Sequence, residues 1–327
     1  MIDELSALRR IEEQFNTTSD NVEVGIGDDA AIVRITQGRL LLATTDSQVE
    51  GVHFIKSFIS PATLARKSVA VSVSDIGAMG GVPRYILASV GFSGDEDEGY
   101  LSQMIAGFRE SEKEFGVELI GGNLSTSDKV FLDITALGEI EPENVVKRTG
   151  ACEGDLIYVS GTLGDSALGL TLLQQGVSRS EGKKLIERHM SPRPRLELGR
   201  QLALSGAVNS MIDISDGLLL DLGRITVDRG LGALISADKL PLSGGYKSIV
   251  SDCTEGFYEL ALSGGEDYEL LFTAPEDNKD YVSEIASSAG TDITEIGIVT
   301  QGSTIEVVDS NGDEIKYNRL GFTHFNN

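Results

Sequence analysis

The segment 25–31, Gly-Ile-Gly-Asp-Asp-Ala-Ala, constrains this chain most strongly, because it sets two adjacent carboxylates in a glycine-flanked turn. The flanking runs, 22–24 and 31–33, have the composition of short β-strands. Adjacent aspartates repel each other, so a folded chain gains by holding Asp28 and Asp29 there mainly when a hard cation takes up their charge. Taken alone, the segment also fits a solvated turn, since Gly and Asp both favour turns.

Other aspartates recur in the same setting, at a strand end or beside glycine. Asp46 follows an apolar run, Asp75 lies two residues before a glycine, and Asp213 and Asp216 flank an Ile-Ser pair. In proteins, Mg²⁺ is held by one or two carboxylates together with phosphate oxygens and waters, which suits acids dispersed over several loops. The recurrence therefore predicts magnesium chemistry.

The charge balance excludes some classes of ligand. The 327 residues include 27 Lys and Arg against 51 Asp and Glu, a net charge of −24. This balance disfavours attraction to nucleic acid or to an anionic membrane, and any anionic ligand must arrive with cations. The beginning of the chain has no basic leader or apolar targeting segment, and no apolar run approaches membrane-spanning length, so we expect a cytoplasmic protein.

The order of elements predicts an α+β protein of two mixed α/β-type domains. Apolar residues at helical spacing open the chain, and strands and helices then follow one another. A polar connector near residues 140–152 predicts a boundary between an N-terminal domain, 1–145, and a C-terminal domain, 146–327. Among the predicted elements are helices at 61–79 and 96–115 and strands at 85–92, 117–120, 130–136, 156–159, 211–213, 231–236, 268–273 and 304–308.

Several common ligand motifs are weak or missing. Gly25-x-Gly27-x-x-Ala30 mimics a dinucleotide fingerprint, but Asp28 and Asp29 would repel a pyrophosphate. The sequence has no GxxxxGK[ST] run and no protein-kinase signature. It also has no HExxH motif, and its two cysteines lack CxxC spacing, so zinc is disfavoured.

Three further features have two interpretations each. His53 follows the Asp46 segment and fits either a substrate contact or an ordinary loop histidine, whereas His189 follows a charged helix. The segment 161–166 precedes a helix and fits either an anion-binding turn or a tight connection. Arg148, in the connector, fits either a bidentate phosphate clamp or a lone surface arginine.

Taken together, these segments resemble the thiamine-monophosphate kinase family of the aminoimidazole ribonucleotide synthetase-like superfamily. The resemblance covers nearly the whole chain. It rests on segments 25–30, 44–46, 52–54, 74–80, 121–122, 147–151, 161–166, 212–217, 263–270 and 321–325.

The resemblance implies ATP-dependent phosphorylation of thiamine monophosphate to thiamine diphosphate, with release of ADP. It implies that the N-terminal domain, 1–145, binds ATP and metal and that the C-terminal domain, 146–327, completes the active site. It also implies Mg²⁺ ions at the interface of the two domains, ATP as co-substrate and a homodimer. By position, it implies that the metals are held by Asp29, Thr44, Thr45, Asp46, Asp75, Asn123, Asp213 and Asp216. It implies ATP contacts from Gly122, Asn123, Arg148 and Ser215, and substrate contacts from His53, Glu266 and Phe322. Asp46, Asp75 and Arg148 are the implied catalytic residues.

Two positions depart from the family pattern. Asn123 stands where the family has aspartate, so an amide oxygen replaces a carboxylate and one negative charge is lost. Arg319 stands where some relatives have an aromatic residue, which leaves Phe322 as the candidate to stack on the thiamine.

Two alternatives stay open at this point. A sibling ATP-dependent enzyme could act on another substrate, although the cysteines that selenophosphate synthetase and the carbamoyl dehydratase need are missing from the corresponding places. Purine-synthesis relatives are not separated by residues alone. The second alternative is an inactive acidic nucleotide- or metal-binding module.

Overall fold

The computed structural model describes residues 2–15, 19–176, 182–254 and 256–324. The chain divides into two units. Unit 1 comprises residues 1–76 and 81–143, and unit 2 comprises residues 77–80 and 144–327. The predicted domain limits, 1–145 and 146–327, stay a prediction.

Unit 1 is built on a four-stranded sheet in the order β3-β6-β4-β5. Strands β4 and β5 are parallel, and the other two pairs are antiparallel. Its elements are α1 Glu4–Gln14, β1 Val22–Val24, β2 Ile32–Val33, β3 Leu40–Val49, α2 Pro61–Ala78, β4 Val82–Phe92, α3 Glu98–Phe115, β5 Glu118–Thr126 and β6 Phe131–Ile140. The predicted strands that flank the acidic turn are β1 and β2, which pair antiparallel.

Local signals fix the helices of unit 1. Pro61 begins α2, as its preset φ favours at a first helical position. Asp97 caps α3 by accepting a hydrogen bond from the amide of Tyr100 at 2.8 Å, and Gly116 ends it in a left-handed conformation with φ 68°. Helix α2 packs on the sheet, where the Ser72 hydroxyl donates to the carbonyl of Ile134 at 3.2 Å.

Strand β5 extends beyond its predicted end at residue 120 and runs to Thr126. The prediction ended the strand at the glycines Gly121 and Gly122. In the structure, a Cβ at Gly122 would lie 2.0 Å from the carbonyl oxygen of Ala88 on β4. The glycine therefore permits a close approach of two parallel strands, and it does not end the strand.

Unit 2 contains a six-stranded sheet in the order β12-β9-β11-β7-β10-β8. Only β12 and β9 pair parallel within it. Its elements are β7 Leu156–Ser160, α4 Asp165–Gln174, α5 Lys183–Met190, α6 Leu196–Ser205, β8 Ser210–Asp213, α7 Leu218–Ile225, β9 Leu231–Ser236, α8 Gly244–Cys253, α9 Glu259–Ser263, β10 Leu270–Ala274, α10 Lys279–Ser288, β11 Ile293–Gln301 and β12 Ile305–Val308.

Apolar residues cover both faces of this second sheet. Ile157 and Val159 belong to one buried cluster, while Leu156 and Tyr158 belong to another. Since side chains alternate between the faces of a strand, an unbroken apolar run such as β7 is expected where both faces are buried. Among the helices that the structure describes, none combines the length and apolar character needed to cross a membrane.

Candidate active site

Two carboxylates meet in unit 1 where β3 faces α2. The Thr44 hydroxyl on β3 donates to Asp75 Oδ2 on α2 at 2.5 Å. Burial, and next the charge of Asp75, raises the pKa of Asp46 to about 6, against a lowering hydrogen bond from Ser72. Within the described part of the chain, the buried Oδ2 of Asp46 has no hydrogen-bond partner. Asp46 and Asp75 thus form a carboxylate pair with an unsatisfied oxygen.

This carboxylate pair fits a divalent cation. A buried oxygen without a hydrogen-bond partner is rare in native proteins and calls for an explanation. A bound cation is one such explanation. A cation beside Asp46 would pair with that oxygen and remove the repulsion from Asp75. Residues 2–15, 19–176, 182–254 and 256–324 contain no group of three or more His, Cys, Asp or Glu side chains placed to hold a metal. Mg²⁺ needs only one or two carboxylates when phosphates supply further oxygens.

Thr45 does not join the pair through its side chain. Strand alternation places Thr44 and Asp46 on one face of β3 and Thr45 on the other, where the Thr135 hydroxyl donates to Thr45 Oγ1 at 3.3 Å. The prediction treated residues 44–46 as one ligand group without regard to this alternation.

The acidic turn and His53 have defined local geometry. Gly27 adopts φ 118°, which other residues rarely reach, and Asp28 Oδ1 accepts a hydrogen bond from the amide of Asp29 at 2.8 Å. Asp29 itself is exposed. The amide of Val49 donates to Nδ1 of His53 at 3.1 Å, so the network assigns the ring hydrogen to Nε2.

The predicted ATP contacts of unit 1 lie on β5. Gly122 and Asn123 pair in register with Ala88 and Ser89 of β4, and both are exposed. They line one wall of a cavity of about 90 Å³ whose other walls are largely apolar side chains of α1, α3, β4 and β5.

In unit 2, the turn between β8 and α7 carries three predicted site residues. Asp213 is buried at the end of β8, and Ser215 and Asp216 are half-buried in the turn. Gly217 adopts φ 127° at the entry to α7. Arg224 of α7 pairs with Asp216 at 2.5 Å.

Asp221 shapes this turn, and the sequence analysis did not identify it. Its Oδ2 accepts hydrogen bonds from the amides of Ser215 and Asp216 at 3.0 Å each and of Gly217 at 3.2 Å. Burial raises the pKa of Asp221 to about 6, against the lowering effect of Arg224. The available signal was an acidic residue in the first turn of the helix that follows Asp-Gly, where a carboxylate can accept from free amides.

Two predicted substrate contacts lie against the same turn. The amide of Glu266 donates to the carbonyl of Ser215 at 2.8 Å, and the amide of Phe322 donates to the carbonyl of Asp216 at 2.9 Å. The Phe322 ring is exposed and meets His324 edge to face, with centroids 4.9 Å apart. Unit 2 therefore gathers Ser215, Asp216, Glu266 and Phe322. Phe325, the last residue of the matching segment, lies outside the described residues.

Arg148 lies outside that turn, in the segment that precedes β7. It is exposed in a short 3₁₀ helix, Arg148–Gly150, that follows Lys147. The carbonyl of Lys147 accepts a hydrogen bond from the amide of Met211 at 3.3 Å, near the start of β8. Asp213 lies at the other end of this four-residue strand.

Comparison with known families covers most of the chain. A model described as AIR synthase related protein, N-terminal domain, matches residues 27–140, and a model described as AIR synthase related protein, C-terminal domain, matches residues 153–310. The predicted α+β class and the superfamily are thereby confirmed.

Individual relatives agree with this result. The thiamine-monophosphate kinase of Haemophilus influenzae is 41% identical over 281 residues, which cover 85% of this chain and 83% of that protein. The crystal structure of thiamine-monophosphate kinase from Stenotrophomonas maltophilia K279a matches with a TM-score of 0.85 at 31% identity, covering 96% of this chain and 98% of that one. AaThiL, solved in complex with AMPPCP and TMP, matches with a TM-score of 0.78 at 34% identity, covering 98% and 97%. The chain therefore belongs to the thiamine-monophosphate kinase family of enzymes.

Proposed function

We propose that this protein transfers the γ-phosphoryl group of ATP to thiamine monophosphate, giving thiamine diphosphate and ADP, with Mg²⁺ as the metal. The observation that carries the metal requirement is the Asp46–Asp75 pair with its unsatisfied oxygen. The substrates follow from the family, and from the AMPPCP and TMP bound to AaThiL.

The charges of the reactants explain why such a pair is useful. ATP and a phosphomonoester are both polyanions, and two unit charges about 4 Å apart repel by about 1 kcal/mol in water and about 4 kcal/mol at an effective dielectric of 20. When bound, Mg²⁺ neutralises phosphate oxygens and stabilises charge on the transferring group. Asp46 and Asp75 would hold it, and the Thr44 hydroxyl orients Asp75.

The acceptor oxygen belongs to a phosphate that is already largely ionised near neutral pH, so the chain needs no side-chain base. The contribution of the protein is alignment of the two phosphates. We propose that Arg148 contributes to this alignment as a phosphate clamp, since its guanidinium is exposed and suited to bidentate contact.

The other predicted site residues fall into three groups in this proposal. Gly122, Asn123 and Ser215 contact ATP, and the apolar cavity beside Gly122 and Asn123 suits a flat base. Glu266, Phe322 and His53 contact the thiamine part of the acceptor. Further metal ligands are proposed at Asp29, Asp213, Asp216 and Asn123 and, through its main-chain oxygen, Thr45.

A product assay tests this proposal. The purified protein is incubated with Mg²⁺, ATP and thiamine monophosphate, and in parallel with unphosphorylated thiamine or with a purine-synthesis substrate of the sibling enzymes. We expect thiamine diphosphate and ADP in equal amounts, only with thiamine monophosphate, and no product after chelation with EDTA. Nucleotide binding without product would instead support the inactive module. The homodimer and the cytoplasmic location remain predictions.

A further inference from the structure

Glu266 lies in a segment with unusual backbone conformation. Both Glu266 and Tyr268 have positive φ, 66° and 51°, although neither is glycine. Such conformations persist only when surrounding structure holds them, and they concentrate at functional sites.

Buried acids on either side of Tyr268 hold this segment. Asp267 accepts hydrogen bonds from the amides of Gly164 at 2.7 Å and Ser166 at 3.4 Å, at the start of α4. Glu269 receives two hydrogen bonds of 2.6 Å from the guanidinium of Arg195 and is also paired with Arg188. The segment is therefore fixed, and the orientation of Glu266 depends on the contacts of its own side chain.

His189 makes such a contact. Its Nδ1 lies 3.1 Å from Oε2 of Glu266 and 3.2 Å from the hydroxyl of Ser166. An ionised carboxylate only accepts hydrogen bonds, so the contact assigns a hydrogen to Nδ1 of the imidazole. His189 is 4% exposed, whereas the Glu266 side chain is 22% exposed. A buried ring thus holds a carboxylate that solvent can reach.

The packing of α5 on α4 places His189 there. His189 lies one turn after Leu185, and both are buried on the same face of α5. A Cβ at Gly169 of α4 would lie 2.2 Å from the carbonyl oxygen of Leu185, so the glycine permits close contact between the two helices.

We propose that His189 is a positioning residue that fixes the Glu266 carboxylate for recognition of the acceptor substrate. The inference rests on the proposed function, in which Glu266 contacts the thiamine part of thiamine monophosphate. A carboxylate suits the cationic thiazolium or the aminopyrimidine of that substrate. Without His189, the Glu266 carboxylate loses a hydrogen bond that orients it, and substrate binding must then order the side chain, which weakens acceptor binding. Binding of ATP does not use Glu266 and is unaffected.

Steady-state kinetics of His189→Leu and His189→Asn test this role, because asparagine can still present an N–H near the position of Nδ1. We expect His189→Leu to raise KM for thiamine monophosphate about tenfold, the size of one lost hydrogen bond to a charged group, with KM for ATP changed less than about twofold. His189→Asn is expected to recover most of the loss. Leu185→Ala is the matched control, expected to lower the melting temperature without a selective change in either KM.

Combination with Glu266→Gln completes the test. If His189 acts through Glu266, then His189→Leu adds little to the KM of the Glu266→Gln variant, because coupled residues are non-additive. Full additivity, equal changes in both KM values, or an Asn variant as poor as the Leu variant would overturn the inference. A wild-type protein that forms no thiamine diphosphate would overturn the proposed function and this inference with it. An active wild type with an unaffected His189→Leu variant would overturn this inference alone.

Discussion

Two groups of acids, one in each unit, have opposite surroundings. In unit 1, Asp46 and Asp75 face each other, and one buried oxygen of Asp46 has no partner among the described residues. In unit 2, Glu269 is paired with two arginines, and Asp221 accepts from three main-chain amides and one arginine. Among the residues that the structure describes, no lysine or arginine forms an ion pair with Asp46 or Asp75, whereas the acids of unit 2 have their own counter-charges. Acids that look alike in sequence therefore divide into a pair with an unsatisfied oxygen, which we propose binds the metal, and acids that hold a loop.

The largest expected effect comes from Asp46→Asn. The change removes a carboxylate from the pair without changing its size, and we expect kcat for thiamine diphosphate formation to fall by about 10³-fold or more, as for loss of a key electrostatic group. The melting temperature of the metal-free protein should hold or rise, because repulsion from Asp75 and the burial of a charge are both relieved. Retained turnover would remove Asp46 from the mechanism.

The corresponding change in unit 2 should act on stability. Glu269→Ala leaves Arg188 and Arg195 without their partner, and removing one member of a buried ion pair costs about 3 kcal/mol or more of unfolding free energy. Denaturant unfolding measures this loss. Glu295→Ala provides the control, since its lysine partners are half-exposed and such pairs contribute at most about 1 kcal/mol. Equal losses in the two variants would contradict the division between the two kinds of acid.

A smaller effect separates the two faces of β3. Thr44→Val removes the hydroxyl that donates to Asp75. We expect kcat to fall about tenfold, the size of one hydrogen bond to a charged group, and Mg²⁺ to bind more weakly. Thr45→Val changes the opposite face and leaves the main-chain oxygen in place, so activity should stay within about twofold. A Thr45 variant as impaired as the Thr44 variant would show that strand alternation does not decide the ligand set.

We also expect a pH dependence of stability in unit 2. Burial raises the pKa of Asp267 to about 8, against lowering contacts from the Gly164 amide and Arg188. The folded protein therefore keeps a proton that the unfolded chain releases near its ordinary pKa of about 4, so this residue makes stability fall as pH rises from about 4 to about 8.

Comparison with Asp267→Asn isolates this contribution. Asparagine keeps an acceptor oxygen but does not titrate. We expect the unfolding free energy of the wild type, relative to that of the variant, to decline across this pH range in chemical denaturation. A relative stability that rises with pH would mean that Asp267 is ionised in the folded protein.

Much of the fold followed from local chemistry. The Pro61 start of α2, the acidic turn between β1 and β2, and the apolar strand β7 each depend on short-range rules of backbone and burial. The predicted strand at 117–120 was shorter than β5. A glycine that permits close contact between strands gives the same sequence signal as a glycine in a turn.

The site was harder to predict than the fold. The sequence singled out Asp46 and Asp75, which the structure brings together, but the opposite orientation of Thr45 depends on the face of β3 that packs on α2. Asp221 gave only the weak signal of an acid in a first helical turn, and His189 gave none, since their roles arise from main-chain amides and a helix contact made only after folding. Whether the remaining predicted residues contact ATP, thiamine or metal stays a prediction.

The most direct test of the central claim is calorimetric titration of Mg²⁺ into the protein saturated with AMPPCP and thiamine monophosphate. The account predicts that the wild type and Glu269→Gln bind Mg²⁺ with similar affinity, whereas Asp46→Asn and Asp75→Asn bind it at least about tenfold more weakly. Unchanged Mg²⁺ affinity in both aspartate variants would contradict the claim that this carboxylate pair holds the metal.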